Sequence, residues 1–139
     1  MFENILVPTD FSEKSRKSFE IAIKMSQYEG THTVTLLHVI ETVEGAEQGE
    51  FDDFYEKLKI KAEKNMIKMT ELFKNQDYLI DTKIVYGNRE AEIVKFAHEN
   101  NMDLIILSSH RIGEENGYNW ATISYKVGIL AQCPVMMVK

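Results

Sequence analysis

"DLIILSSHRIGEENGYNWATISYKV" (residues 103–127) begins with an apolar run, turns polar at Ser108, and regains apolar residues at helical spacing from Trp120. An apolar run without alternation is expected of a strand buried on both faces. Trp120, Ile123 and Val127, three and four residues apart, mark one face of a helix. Strand, loop and helix in that order form the building unit of a parallel sheet. In many such units the loop holds a phosphate on bare backbone N–H groups, and glycines clear the approach. Here Ser108, Ser109, His110 and Arg111 come first, and Gly113 and Gly117 follow later in the polar stretch.

The same alternation runs through the rest of the chain. Four more strand-like runs are "NILVP" (4–8), "HTVTLLHVI" (32–40), "LIDTKIVY" (79–86) and "PVMMVK" (134–139), with the fourth in order being "DLIILSS" (103–109). Helix-like segments separate them. The first has an inward stripe of Phe19, Ala22, Ile23 and Ser26. The second repeats Phe51, Tyr55, Leu58, Ala62, Met66, Met69 and Phe73, the third carries Ile93, Val94 and Ala97, and the fourth adds Leu130 and Ala131 to its stripe. Alternating strands and helices imply a parallel sheet covered on both faces, joined by right-handed crossovers. Ligands of such sheets bind beyond the carboxyl ends of the strands, where strand order reverses. The loops after the first and fourth strands are therefore the ones to examine. "ETVEGAEQGEFDD" reads as a mobile acidic connection before the long helix.

A chain of 139 residues fits one domain, with 44% hydrophobic and 27% charged residues. Its formal net charge of -6 argues against a general nucleic-acid binder. The single Cys133 permits no intramolecular disulfide and gives no metal signature. No secretory signal or membrane-length apolar run is visible, so a cytoplasmic protein with no membrane partner is expected.

"VPTDFSEKS" ends the first strand. Asp10 reads as a helix N-cap, with Glu13 three residues on in a capping-box-like pattern; the functional alternative is that Asp10 accepts a hydrogen bond from a ligand. Past the fourth strand, Ser108, Ser109, Thr122 and Ser124 supply hydroxyls, and His110 and Arg111 supply donors. Arg111 could pair with a phosphate, while the plainer reading makes Thr122 a cap and Arg111 a solvated side chain. His38 reads as a packed, hydrogen-bonded residue, and His32 and His98 have no partners at metal spacing. Cys133 reads as a buried inert thiol. Trp120, Met66 and Met69 read as packing, and the Lys and Glu residues between 56 and 74 as a solvated face with supporting charge pairs.

Taken together, "NILVPTDFSEKSRKSFEIA", "VTLLHVIE", "YGNREAEIVKFAHENNMDLIILSSH" and "CPVMMVK" resemble, in order and spacing, the universal stress protein family, which has an adenine nucleotide α-hydrolase-like fold. The resemblance spans the chain. ATP-binding members carry Gly, two residues, Gly, nine residues, Gly, then Ser or Thr. Here the spacing survives, with Ser108, Arg111 and Ala121 at the glycine positions and Thr122 at the last. The resemblance places adenosine-side contacts on Pro8, Thr9, Asp10 and Val39, and phosphate-side contacts on Ser108, His110, Arg111, Ala121, Thr122 and Ser124. The missing glycines place the chain nearer the branch not thought to hold ATP.

The expectation is one domain (1–139) of Rossmann-like α/β fold, a five-stranded parallel sheet of order 3-2-1-4-5 with helices on both faces. Its function is expected to be a non-enzymatic, stress-responsive regulator with weak or no ATP binding and no certain cofactor. It would act as a homodimer through its last strand, Pro134 to Lys139, with a further protein partner unknown. One alternative is an ATP-binding switch in which Arg111 and hydroxyls replace glycine backbone; another is a nucleotidyl transferase or ATP hydrolase. No Walker loop, paired His motif of the nucleotidyl transferases or Ser-Gly-Gly loop of the ATP pyrophosphatases supports the last, and a positioned general base is missing unless Asp10 or His110 serves. If side chains at positive φ spoil the loop, glycine at 108, 111 and 121 should improve ATP binding.

Overall fold

A computed structural model of the chain describes residues 2–29, 33–42, 49–73, 79–108 and 120–139. Strands and helices alternate as β1 (Asn4–Pro8), α1 (Glu13–Glu29), β2 (Thr33–Glu41), α2 (Asp52–Glu71), β3 (Leu79–Gly87), α3 (Arg89–Glu99), β4 (Leu104–Ser108), α4 (Trp120–Leu130) and β5 (Val135–Val138). The sheet is parallel throughout, in the order β3-β2-β1-β4-β5, so strand order reverses between β1 and β4.

The two strands with unalternated apolar sequence lie at the centre. Ile5 pairs with Val34 on one side and Leu104 on the other. Because successive side chains point to opposite faces, β1 feeds two cores. Ile5 and Val7 join Phe19, Ala22 and Ile23 of α1 and Met66 and Met69 of α2. Leu6 joins Ile93 and Ala97 of α3 and Ile123 and Val127 of α4. Phe73, just past α2, meets Phe19 edge-to-face at 5.3 Å and ties the end of the long helix to α1.

Several boundaries differ from expectation for local reasons. The fourth strand starts at Leu104, because Asp103 turns its carboxylate onto the backbone N–H groups of Glu3 and Asn4, each at 2.9 Å. Pro134 precedes β5 and contributes only its carbonyl, which accepts from Ile105 at 3.0 Å. Leu130 ends α4 at the rim of its buried face and is 56% exposed, and Ala131 lies beyond the helix. Cys133 is only partly buried; burial nonetheless pushes its thiol up, which keeps it protonated. Most of the acidic connection (43–48) and His32 lie outside the described residues, as does the side chain of Trp120.

Candidate functional site

The N-terminus of α1 is built differently from its sequence reading. Ser12, not Asp10, caps the helix: Ser15 N donates to Ser12 Oγ at 3.2 Å, and Arg16 N donates to Ser12 O at 3.0 Å. Glu13 is therefore the first helical residue rather than the far half of a capping box. Asp10 stands one step outside. Its Oδ1 accepts from Ser12 N at 2.9 Å and from Ser15 Oγ at 3.0 Å. Phe11, between them, has φ 65°, a left-handed conformation that costs a side-chain-bearing residue roughly 1–3 kcal/mol and persists where its surroundings enforce it. Its N–H donates to Thr9 Oγ1 at 2.9 Å, and its ring lies 4.5 Å from that of His38.

This turn forms one wall of a cavity of about 420 Å³ at the carboxyl ends of β1 and β2. Asp10 and Phe11 line it from β1, and residues His38, Val39, Ile40 and Glu41 from β2. The opposite wall is α2, through Phe54, Leu58, Lys61, Ala62 and Asn65, and Arg89 opens α3 at the rim. The α2 residues follow i, i+4, i+7, i+8 and i+11, one face of the helix. Asn88 caps α3 by accepting from Ala91 N at 3.0 Å, and Arg89 Nη1 pairs with Glu41 Oε2 at 3.0 Å. His38 Nδ1 bonds the Thr9 carbonyl at 2.8 Å. A carbonyl only accepts, so that nitrogen carries a proton. Burial pushes His38 below its usual value; the Thr9 bond and Asp10 oppose this, and Arg89 adds to it.

The ten residues implied by the family resemblance fall into five groups. Asp10 and Val39 line the cavity, although Val39 packs its side chain into the second core and leaves mainly backbone for a ligand. Pro8 and Thr9 are packed beneath it. Thr9 Oγ1 shares a 2.8 Å hydrogen bond with Ser15 Oγ, and its N–H reaches Leu37 O at 2.8 Å. Ser108 and Ser124 are buried on the phosphate side: Ser108 Oγ bonds Ser18 Oγ at 2.9 Å, and Ser124 Oγ donates to Ala121 O at 3.4 Å. Ala121 and Thr122 are exposed on the first turn of α4. His110, Arg111, Gly113 and Gly117 lie outside the described residues. Ser108 is in extended strand and Ala121 in helix, and neither has positive φ, so the expected strain does not arise at these two positions. The sequence reading missed the α2 wall and Arg89, and it took His38 only as packing. Among the described residues no group of three His, Cys, Asp or Glu is placed to hold a metal ion, and no helix is long and apolar enough to cross a membrane.

A doubly wound parallel sheet of this strand order is an α/β fold of the nucleotide-binding type, and a ligand-sized crevice lies at the carboxyl ends of its β1 and β2 strands. The chain belongs to the universal stress protein family, whose profile matches residues 1–139. Universal stress protein MJ0577 of Methanocaldococcus jannaschii is 32% identical over 130 residues, covering 79% of this chain and 78% of that protein. Its solved structure superposes with TM-score 0.84 at 28% identity, over 100% of this chain and 96% of the other. Universal stress protein YxiE of Bacillus subtilis is 26% identical over 149 residues, the full length of both. A universal stress protein from Archaeoglobus fulgidus, solved in complex with dAMP, shares the fold at TM-score 0.70 and 15% identity, over 100% and 98% of the two chains.

Proposed function

We propose that this chain is a non-enzymatic, cytoplasmic regulator that takes the nucleoside part of an adenine nucleotide in the β1–β2–α2 cavity and grips its phosphates weakly. The observation that carries this reading is the cavity itself. At about 420 Å³ it lies in the lower part of the roughly 300–1,000 Å³ range of small-molecule sites. It pairs an apolar wall with a few polar groups, and Asp10 stands at its edge. The bound dAMP of the A. fulgidus relative supports an adenine ligand for the family. Against a strong phosphate site, the three positions that ATP-binding family members fill with glycine carry Ser108, Arg111 and Ala121 here. Titration calorimetry with adenosine and ATP tests the reading: adenosine should bind, and ATP should gain little over it.

A homodimer through β5 is part of the proposal. Among the described residues β5 is an edge strand paired only with β4, and such an edge invites a second copy. Met136 and Met137 of β5 and Tyr125, Ile129 and Leu130 of α4 are large apolar residues left exposed, an arrangement typical of an interaction face.

A further inference from the structure

We propose that Lys61 of α2 takes the anionic group of the ligand, so that this chain reads a nucleoside monophosphate's phosphate from the α2 wall rather than from the β4–α4 loop. The inference rests on the adenine-cavity reading above and adds the residue that would recognise the charge.

The charged groups around the cavity leave Lys61 as the cation not already engaged. Arg89 is paired with Glu41 at 3.0 Å. Asp10 is turned onto Ser12 N and Ser15 Oγ. Lys61 lines the cavity, is exposed, and among the described residues makes no ion pair or hydrogen bond. It does not stand alone. Lys57, Lys64 and Lys68 continue the row at i−4, i+3 and i+7, all exposed and, among the described residues, all without an ion pair. These four therefore lack the supporting pairs expected along this helix. The row spans about 16 Å of helix, and Lys68 lines a second, smaller hollow beside Arg16. Like charges three and four residues apart cost helix stability rather than supply it. In a chain of net charge -6, a lysine that lines the cavity without an ion pair among the described residues offers a local positive charge that favours an anion.

The geometry also orders the ligand. Along the cavity face of α2 the aromatic Phe54 comes first, then Leu58, then Lys61 and Asn65. Phe54 is 53% exposed and backed by Tyr55 at 5.8 Å. An apolar end followed by a cation and an amide suits a ligand with a flat base at one end and a phosphate at the other.

The test is titration calorimetry with adenosine and AMP on the wild type, Lys61→Gln, Lys57→Gln/Lys64→Gln and Arg111→Ala, with the fold of each checked by urea unfolding. Lys61→Gln should weaken AMP by about tenfold, the scale of one exposed charge-assisted hydrogen bond, and leave adenosine unchanged. The preference for AMP should fall as salt is raised. AMP binding untouched by Lys61→Gln, or an AMP preference lost in Arg111→Ala instead, overturns the inference. Adenosine bound as tightly as AMP by the wild type overturns it while leaving the cavity reading intact. No binding of either ligand removes both.

Discussion

Ser18 Oγ and Ser108 Oγ lie 2.9 Å apart, both wholly buried and ninety positions apart in the chain. The bond joins α1 to the end of β4 and turns the first residue of the altered phosphate pattern inward. Ser18→Ala should leave the Ser108 hydroxyl buried without this partner and cost about 1–3 kcal/mol in urea unfolding. Ser18→Ala/Ser108→Ala should recover part of that loss. Ser108→Gly by itself should not improve ATP binding, since its hydroxyl faces Ser18 and its backbone is already extended.

The β5 edge makes a separate forecast. Met137 is 48% exposed, whereas Val135 packs against the second core. Met137→Lys should therefore give a folded monomer, while Val135→Lys should also destabilise the fold. Sedimentation at micromolar concentration decides this, and a monomeric wild type rejects the dimer.

His38 sets a pH dependence. Its folded value is held below the unfolded value of about 6.5, first by burial. The unfolded chain then takes up the proton more readily. Stability is full above the unfolded value and declines as pH falls below it toward the folded value. The urea midpoint should drop between pH 7.5 and 5.5, and His38→Asn should flatten that part of the profile. An unchanged slope in the variant contradicts this assignment.

The sequence shows the sheet more plainly than the site. β1 was legible to the residue, and β4 nearly so, because a central parallel strand needs apolar side chains on both faces. The register of side chains in β2 was harder to read. Alternation sends His38 toward the cavity face and Val39 into the other core, which a family position assigned to Val39 conceals. The cap of α1 was misread because Asp10 and Ser12 are both good capping residues, and only the left-handed turn at Phe11 places Ser12 at the helix end. The α2 wall has a clear helical spacing from Phe54 to Asn65, but nothing local reveals that this face stands across from the ends of β1 and β2.

Catalysis should be absent. Asp10 Oδ1 already accepts from Ser12 N and Ser15 Oγ at the start of α1, which sets it poorly to take a proton as a general base. Phosphate release from ATP should stay at the buffer background, and Asp10→Ala should not alter it. Turnover abolished by that substitution would show an enzyme.

The ratio of adenosine to ATP affinity, measured by titration calorimetry on the wild-type protein, bears most directly on the central claim. If the cavity holds the nucleoside and no glycine loop grips the phosphates, adenosine binds measurably and ATP binds no more than about tenfold tighter. ATP binding a hundredfold or more tighter than adenosine, at about 2.7 kcal/mol or above, with the advantage lost in Arg111→Ala, would contradict the account and make the β4–α4 loop the working phosphate site.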